Sequence, residues 1–529
     1  MTAKRARKAR PAHAPAAPPD ERRIAAWLLV ALMVPRAIRL LYPDVWVEDD
    51  LYLESAYAIT KGLKPYVDFA QPQMPLVEWL GAAWVALAGG SHLRMEVLNA
   101  AAIYATSVLV FLFARRAVGR GAAIAASLLY ACSSLVFRYH VWAREFFVSA
   151  LVLAAASVVL DRTITARRQV ALTAILLALA CGVKLTAGIP AAVILGFLLL
   201  IERQPRRAVT AALATAGALA ALTAFCYRRY GSDFLFQAFI FHFLKGRDPV
   251  GAGPLYPLTI LDVLGPLFLL GAVRIAIARS MNRPLGLVLA LLGAEYLFYG
   301  VLSPTAWGHN YLEAIPYVAI IAGVGASWIA DAVREVVMNR TRRFAAVARL
   351  AACAAVIAAA LLWVTPLRNE SWERRSVYGF GFMPRDEIRT LARALREATN
   401  AREEVIAPSF IAFEANRLQL IRYPENYGVI REAESLYRAE GFDVARARLG
   451  QEDFFDLITR TSNIWNDEVV RGIAIGGPVN AVILDTPIQL LPLVNASEEA
   501  LAQRQFRPAV RTTHYTLWLR DSTTSRSSR

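Results

Sequence analysis

The sequence predicts an all-α polytopic membrane domain, followed by a smaller α/β domain at the carboxyl end. The chain has 529 residues, 57% of them hydrophobic, and a mean hydropathy of +0.40. Soluble proteins have about 45–50% apolar residues. The excess is concentrated in blocks of roughly membrane-spanning length up to Val364, and charged residues return after that point. These two observations predict the two-part architecture.

About eleven apolar blocks are candidate transmembrane helices, although some are shorter than the ~20 residues that a spanning helix needs. The blocks are Ile24–Tyr42, Val97–Ala114, Gly119–Phe137, Val141–Leu160, Val170–Val183, Leu185–Ile201, Ala208–Tyr227, Leu258–Val273, Leu285–Leu302, Tyr311–Ile329 and Phe344–Val364. A further apolar segment, Met74–Ala88, contains Pro75. We expect it to form a helix at the membrane interface instead of a full span.

The arginines indicate how the blocks are oriented. Clusters of arginine occupy every second connection, in phase with the basic residues near the N-terminus. By the positive-inside rule these connections and the N-terminus are cytoplasmic, and an odd number of spans places the C-terminus outside. Arg228 and Arg229 are exceptions on the outer side. The net charge of +16 therefore reflects multi-pass topology in a cell (inner) membrane, and we expect no nucleic-acid partner.

Composition divides the chain into four parts. Residues 1–23 are basic and rich in Ala and Pro, and are predicted to be a disordered tail before an uncleaved anchor. Residues 24–364 form the membrane domain, 365–520 the extracytoplasmic α/β domain, and 521–529 a disordered tail. In the α/β domain, short strands are predicted at Val405–Ala407, Ala481–Leu484 and Tyr515–Leu519, and Ile388, Leu391, Ala392 and Leu395 have helical spacing.

Several classes of site are not indicated by the sequence. The four cysteines all lie in apolar blocks, with a spacing that suits neither a zinc site nor a disulfide framework. No glycine-rich phosphate-binding loop or dinucleotide fingerprint occurs. The sequence therefore gives no sign of a nucleotide-binding unit.

Three consecutive carboxylates, Glu48-Asp49-Asp50, follow the first apolar block. A carboxylate is costly in hydrocarbon, so the cluster is expected at or beyond the bilayer surface. It can act as a base, hold a metal ion or bind a cationic partner. A solvated acidic loop is the alternative interpretation.

Further polar groups lie at the membrane ends of the other outer connections. Lys184 interrupts the apolar stretch from Val170 to Ile201 and therefore needs a counter-ion or a polar cavity. Carboxylates and cations on one face suit a reaction between a hydroxyl group and a phosphate leaving group, because a carboxylate removes the proton and cations stabilise the leaving charge. Snorkelling basic residues and an interfacial histidine are the simpler explanations. The groups are Asp68, Arg138, His140, Arg144, Glu145, Lys184, His242, Lys245, Arg247, His309, Asn310, Tyr311 and Glu313.

Four motifs in this order resemble those of the GT-C glycosyltransferases, especially the bacterial relatives of protein O-mannosyltransferases and of lipid A aminoarabinose transferase. The motifs are Asp49-Asp50 with Gly62, Pro65-Tyr66-Val-Asp68, Pro72 and Pro75; Arg144-Glu145; Gly182-Val-Lys184-Leu-Thr-Ala-Gly188; and Gly308-His309-Asn310-Tyr311 continuing to Pro316. The resemblance covers roughly residues 24–330. It departs from the family pattern at Lys184, which the threonine follows here instead of preceding.

The resemblance implies a membrane glycosyltransferase that moves a sugar from a polyprenyl-phosphate carrier to a hydroxyl acceptor on the outer membrane face. The acceptor is a glycan, a lipid or a protein. Asp49 matches the position of the general base, Asp50 its partner or the ligand of a divalent metal ion, and Glu145 the second acidic position. Arg138, Arg144, Lys184 and His309 are candidates for binding the donor phosphate. Glu48, Tyr66, Asp68, His242, Asn310 and Glu313 are candidates for substrate binding.

Two other functions compete with this interpretation. A transporter or flippase of lipid-linked sugars is the main rival, but transporters place charge near the membrane midplane and often show repeated halves. Here the carboxylates lie at the edge of a connection and no repeat is visible. Among enzymes, an oligosaccharide polymerase or ligase is the alternative. No cofactor is certain, and a divalent metal ion is one of the options.

Overall fold

The structure is a computed structural model, and it is mostly helical. It describes residues 19–46, 51–244, 261, 264–279, 281–303, 308–338, 344–351, 353–355, 382–420, 427–451, 471–475, 477–485 and 498–521. The predictions for Glu48, Asp49, Asp50, Lys245 and Arg247 lie outside these residues. So do most of the two predicted tails and the predicted boundary at residue 365.

Fifteen helices lie between residues 19 and 338 in the described part of the chain. They are α1 Pro19–Leu41, α2 Leu51–Thr60, α3 Leu76–Ala88, α4 His92–Val118, α5 Arg120–Ala131, α6 Ser134–Arg138, α7 Arg144–Leu160, α8 Ala166–Val183, α9 Gly188–Gly196, α10 Pro205–Tyr230, α11 Ser232–Leu235, α12 Phe241–Leu244, α13 Leu264–Ala278, α14 Arg283–Leu297 and α15 Ile315–Met338. Short 3-10 turns cover Leu185–Ala187 and Gly308–Glu313, and π turns cover Phe197–Ile201, Phe236–Ile240 and Phe298–Leu302. Residues 344–351 and 353–355 are also helical.

Helices in these positions confirm a multi-pass membrane protein. Within the described residues, 7 helical stretches are long and apolar enough to cross a membrane by length and composition. They are Arg23–Leu41, His92–Val118, Arg120–Arg138, Ala166–Val183, Pro205–Tyr230, Arg283–Leu302 and Ile315–Val337. The other predicted blocks correspond to shorter apolar helices, among them Leu185–Ile201 and Leu264–Ala278. Met74–Ala88 forms the short helix α3.

Two helices differ from their predicted bounds. The first helix already includes Pro19–Arg23, inside the stretch predicted to be disordered. Helix α15 begins at Ile315, later than its apolar block, with Pro316 in its first turn. Proline is favoured there because its missing N–H would be unpaired anyway.

Glycines allow close contact between α5, α13 and α15. A Cβ atom added to Gly271 would lie 1.9 Å from the carbonyl oxygen of Ile321, and one added to Gly325 would lie 2.2 Å from that of Leu267. A Cβ on Gly323 would lie 2.3 Å from the Ala122 carbonyl oxygen. Small residues of this kind let helix backbones approach one another in membranes, where packing drives association.

The C-terminal region contains helices and short strands, as the sequence predicted. One three-stranded sheet has the order β5 (Ala481–Asp485), β7 (Tyr515–Arg520), β6 (Phe506–Arg511), and β7 pairs antiparallel with both neighbours. A parallel bridge between Ile406 and Val482 adds the segment predicted as a strand at Val405–Ala407. The elements are β2 Phe382–Pro384, α16 Arg385–Ala398, β3 Glu404–Val405, α17 Ser409–Ala415, β4 Leu418–Gln419, α18 Tyr427–Glu440, α19 Phe442–Leu449, β5 Ala481–Asp485, α20 Glu498–Gln503, β6 Phe506–Arg511 and β7 Tyr515–Arg520.

A strand pairing that the sequence did not predict joins the two parts of the chain. Strand β1, Asp44–Trp46, directly follows α1 and pairs antiparallel with β2. The pairing continues into the next residue, because the Arg385 amide donates to the Pro43 carbonyl oxygen at 2.8 Å. Beyond it, the connection between α1 and α4 (the 43–91 connection) also contacts the C-terminal region where the Tyr57 hydroxyl donates to the Asn416 carbonyl oxygen at 2.6 Å.

A further contact to the C-terminal region lies at the start of α4. The carboxylate of Glu414 is 3.1 Å from Nδ1 of His92 and accepts a hydrogen bond from the His92 amide at 2.8 Å. Burial by itself would raise the pKa of Glu414, but these interactions hold it below its ordinary value. The Glu414 carboxylate therefore stabilises this contact only while it is ionised.

Candidate functional site

The side chain of Lys184 lies at the centre of a buried polar network. Its Nζ is 2.9 Å from Glu145 Oε1, 3.0 Å from Asn310 Oδ1 and 2.6 Å from Glu313 Oε1. An ammonium group has three protons to donate, so these three acceptors use all of them. The sequence left two options for Lys184, a counter-ion or a polar cavity, and the structure shows two carboxylate counter-ions.

A break in the helices places Lys184 in this position. The residue ends α8 with an extended backbone (φ −150°, ψ 125°), and the 3-10 turn Leu185–Ala187 follows it. This break turns the side chain out of the helical register toward the beginning of α7. Its partners therefore come from the first turn of α7 and from the 3-10 turn before α15.

Arg144 and Glu145 form the first turn of α7. A carboxylate is favourable at a helix N-terminus, where the backbone N–H groups carry partial positive charge. Arg144 Nε is 3.5 Å from Glu145 Oε1, and the Arg144 guanidinium donates to the Tyr52 hydroxyl. The same guanidinium carbon lies 4.0 Å from the Tyr52 ring centroid. These contacts join the network to α2, in the 43–91 connection.

The network continues on the other side of Lys184. The Tyr299 hydroxyl lies 3.4 Å from Glu313 Oε1 and donates to Thr186 Oγ1 at 2.9 Å. The Tyr299 carbonyl oxygen accepts a hydrogen bond from the Tyr311 hydroxyl at 3.1 Å. The π turn that contains Tyr299 is therefore linked both to the Lys184 turn and to the turn before α15.

Glu295 is a residue of this region that the sequence analysis missed. It lies on α14, one helical turn before Tyr299, and is only 1% exposed. Within the described residues its Oε2 atom has no hydrogen-bond partner. A glutamate inside an apolar block was the available signal, because such a group is rare and functional by default in a membrane helix.

The structure brings five of the predicted site residues together: Arg144, Glu145, Lys184, Asn310 and Glu313. Two cations face two carboxylates, so this set is electrically balanced without Glu295. His309 lies next to Asn310, half-buried, with its ring centroid 5.9 Å from that of Tyr139. Arg138 is half-buried at the end of α6.

Three predicted substrate-binding residues have contacts within the 43–91 connection or next to it. The Tyr66 hydroxyl donates to the Gln73 carbonyl oxygen at 2.7 Å, and Asp68 Oδ2 accepts from the Lys64 amide at 2.7 Å. His242 Nε2 lies 2.6 Å from the Pro72 carbonyl oxygen. These contacts shape the loop between α2 and α3, and no described contact joins the three side chains to Lys184.

A second buried ionic cluster lies where β1 meets β2. Arg385 NH2 is 2.7 Å from both carboxylate oxygens of Glu96, and Arg385 Nε donates to the Tyr42 carbonyl oxygen at 2.8 Å. Arg39 NH1 is 3.7 Å from Glu96 Oε1 and donates to the Asp44 carbonyl oxygen at 3.0 Å. Glu96 therefore lies between two guanidinium groups, and its side chain is fully buried. The sequence analysis did not identify this cluster.

His140 is buried beside this cluster. Burial, followed by the nearby charges of Arg36, Arg39 and Arg385, lowers its pKa well below the ordinary value. Its backbone carbonyl accepts from Asn99 Nδ2 at 2.7 Å. The imidazole is therefore neutral at physiological pH.

The metal ion that the sequence left open has no site in the described part of the chain. No group of three or more His, Cys, Asp or Glu side chains there could hold one. Asp50, the candidate ligand, lies outside the described residues. A divalent ion therefore stays a prediction.

Comparison with known proteins gives one family match and several structural matches. Residues 70–227 match the family model described as dolichyl-phosphate-mannose-protein mannosyltransferase. No curated protein sequence matches the chain. The crystal structure of ArnT from Cupriavidus metallidurans in the apo state superposes with a TM-score of 0.59 at 12% identity, covering 94% of this chain and 98% of that one. The chain has the GT-C fold. ArnT bound to undecaprenyl phosphate gives a TM-score of 0.58 at 13% identity, covering 96% and 99%.

These matches confirm the resemblance to GT-C glycosyltransferases that the four motifs indicated. The GT-C match extends over nearly the whole chain, so it includes the C-terminal region, for which the sequence suggested no relative. The family model includes the motifs at Arg144-Glu145 and Lys184. The first motif up to Asp68, with Asp49-Asp50, and the motif at 308–316 lie outside the residues that it matches, whereas Pro72 and Pro75 lie inside.

Proposed function

We propose that the protein is a glycosyltransferase that moves a sugar from a polyprenyl-phosphate carrier to a hydroxyl acceptor. The observation that carries the proposal is the buried network of Arg144, Glu145, Lys184 and Glu313 within a GT-C fold. A buried ionic network of this size is costly to assemble in a membrane protein, and such groups usually mark a functional site. The undecaprenyl phosphate bound to ArnT is consistent with a lipid-phosphate donor here.

In the proposed reaction, Asp49 removes the proton of the acceptor hydroxyl. The hydroxyl oxygen then attacks the anomeric carbon, and the bond between that carbon and the phosphate oxygen breaks. The polyprenyl phosphate leaves with the bonding electrons, and because the hydroxyl oxygen attacks from the opposite face, the anomeric centre is inverted. Asp50 supports Asp49 or binds a divalent ion. These roles come from the sequence motif.

Arg144, Lys184, Arg138 and His309 would stabilise the departing phosphate in this proposal. The three protons of Lys184 are already donated to Glu145, Asn310 and Glu313. A phosphate would therefore have to share Lys184 with these acceptors. We expect Glu145 and Glu313 to hold the lysine in place. Arg144 links this network to Tyr52 in the 43–91 connection.

The decisive assay supplies purified protein with a polyprenyl-phosphate sugar or with the corresponding nucleotide sugar, together with an acceptor extract. Transfer is expected only from the lipid donor. A flippase, the alternative function, would move the lipid-linked sugar across vesicles without breaking its glycosidic bond. Transfer from the nucleotide sugar alone, without a lipid intermediate, would overturn the proposal.

Asp49→Asn tests the general base. We expect a ~10²–10⁴-fold loss of rate, because a positioned base typically contributes that much. Asp386→Asn is a matched control, since the Asp386 side chain is 99% exposed. An Asp49→Asn variant that transfers sugar at the parental rate would exclude this role and leave Asp50 or Glu145 as the candidate.

Lys184→Ala tests the cationic side of the site. Removing one charge-stabilising contact often costs ~10²–10³-fold in rate, so use of the lipid donor should suffer more than folding does. Because Lys184→Ala leaves Glu145 and Glu313 without their ammonium partner, the double variant Lys184→Ala/Glu313→Gln reduces this buried charge. If the double variant folds and keeps the parental rate, Lys184 has no part in the reaction.

A further inference from the structure

A polar cleft lies between the 43–91 connection and the C-terminal region. It has a volume of about 360 Å³ and is lined by the loop between α2 and α3, by α11 with the π turn that follows it, and by α18. This volume lies in the range of small-molecule sites, about 300–1,000 Å³. The side chains that matter most are Val67, Asp233, Gln237, Glu434, Ser435 and Arg438.

The floor of the cleft is fixed by hydrogen bonds. Gln237 is 4% exposed, accepts from the Gln71 amide at 2.8 Å and donates to the Tyr66 carbonyl oxygen at 2.8 Å. Tyr66 has a left-handed backbone (φ 69°), and its ring packs edge-on against Phe234 at a centroid distance of 5.1 Å. The loop on this side is therefore held in one conformation.

The opposite wall is tied to the floor. Arg438 on α18 donates to Asp233 Oδ1 at 2.8 Å and to Glu434 Oε1 at 2.5 Å. Below this ion pair, Ala70, Phe236 and Ile430 belong to one buried apolar cluster. Both walls share this small core, so the cleft is part of the packed structure and not a gap between two separate bodies.

The lining suits a neutral ligand with many hydroxyl groups. Two carboxylates, Asp233 and Glu434, and two guanidinium groups, Arg431 and Arg438, line the cleft, so the formal charges balance, and Arg438 pairs with both carboxylates. A phosphate would have to disrupt these pairs, whereas hydroxyl groups can donate to the carboxylates and accept from the guanidinium groups. The exposed side chain of Val67 adds an apolar surface for the C–H face of a sugar ring.

We propose that this cleft binds a sugar unit of the acceptor, which makes the acceptor a glycan or a glycolipid head group. The inference rests on the proposed function and narrows the three acceptor classes that the sequence left open. Tyr66, Val67 and Ala70 belong to the connection that also carries the proposed base. An acceptor held there would be bound by the same segment that carries out the reaction.

The test fills the cleft from its exposed positions. Ser435→Trp and Val67→Trp each place a bulky ring in the cleft without entering the core, since both residues are exposed. Ala447→Trp, at an exposed position on α19, is the matched control. Thermal unfolding of the three purified variants verifies that each is folded, and Ser435→Ala provides a milder change at the first position.

The acceptor concentration at half-maximal rate is measured at saturating polyprenyl-phosphate sugar, with a cell-envelope extract as the acceptor. We expect both cleft variants to raise this acceptor concentration about tenfold or more. A ring that fills the cleft prevents the acceptor from bonding to a charged side chain of the lining, and one such hydrogen bond is worth that much. The donor concentration at half-maximal rate should not change, and Ala447→Trp should match the parent. If the donor sugar is labelled, the labelled product should survive protease digestion.

The outcomes separate this inference from the function on which it rests. Parental protein that never cleaves the lipid donor would refute the proposed function. Active parental protein with cleft variants that show an unchanged acceptor dependence would refute the acceptor site alone. A labelled product that protease destroys would show that the acceptor is a protein side chain and would also refute it.

Discussion

Removing the charge of Glu96 should loosen the junction between the membrane helices and the C-terminal region more than removing that of Arg385. Glu96 is the one carboxylate described between two buried guanidinium groups, with Arg385 at 2.7 Å and Arg39 at 3.7 Å. Glu96→Gln leaves both guanidinium groups without a carboxylate counter-ion. Breaking a buried ion pair in this way typically costs about 3–5 kcal/mol of stability. Arg385→Met leaves Glu96 paired with Arg39. The junction then loses only the charge-assisted hydrogen bonds of Arg385, which are worth about 1.5–3 kcal/mol.

Hydrogen exchange measures this difference directly. The Arg385 amide, which donates to the Pro43 carbonyl oxygen, and the amides of β2 report the opening of the junction. A loss of 3–5 kcal/mol speeds exchange roughly a hundredfold to several-thousandfold, since 1.4 kcal/mol is a factor of ten. Mass spectrometry of a peptide from the start of α16 provides the rates for the parent and both variants.

The order of the two effects tests the reasoning. Arg448→Met is the control, because its ion pair with Glu440 is exposed and surface pairs are worth about 0–1 kcal/mol. If Arg385→Met accelerates exchange as much as Glu96→Gln does, Arg39 does not act as the second counter-ion. If neither variant differs from Arg448→Met, the cluster does not hold the junction.

Three further predictions concern topology, acidity and helix packing. Reporter fusions at Arg168 and Arg385 should lie on opposite sides of the membrane, and finding both on one side would refute the arrangement. The pKa of Glu414 is lower in the folded state, so its stabilisation is present above the unfolded-state pKa of about 4.3 and is lost as the pH falls through the folded pKa. Glu414→Gln should therefore weaken the acid-dependent unfolding of the C-terminal region, measured by limited proteolysis from pH 7 to pH 3, and an unchanged acid profile would contradict this. Gly271→Ala should lower the yield of folded protein, because its Cβ would lie 1.9 Å from a backbone oxygen, whereas Gly286→Ala, with nothing within 4 Å, should not. Size-exclusion chromatography in detergent compares the two, and equal yields would argue against close packing.

The helices of the membrane domain could be predicted because their signal is local. A spanning helix needs a long run of apolar residues, and the runs beginning near Ile24, Val97 and Ala208 became helices at those places. The later start of α15 also has a local cause, since Pro316 lies in its first turn. Strands were also predicted at Ala481–Leu484 and Tyr515–Leu519, where the structure has β5 and β7.

Part of the candidate site was also visible in the sequence. Lys184 in an apolar stretch predicted a counter-ion or a polar cavity, and Glu145 and Glu313 are the counter-ions. The sequence could not say which carboxylates would pair with it, because they come from connections far apart in the chain. Glu295 was missed because one glutamate barely changes the average hydropathy of its helix.

The amino-acid sequence by itself determined that this protein is a multi-pass membrane protein, where its helices lie and which residue types are costly to bury. Those properties depend on the transfer of each segment from water, which is a local quantity. Only the tertiary structure decided that Lys184 has two carboxylate partners, that Glu96 joins Arg39 to Arg385, and that α18 closes a cleft over Val67. The reason is that ion pairs and clefts depend on distances between segments, and chain order does not fix those distances until the helices pack.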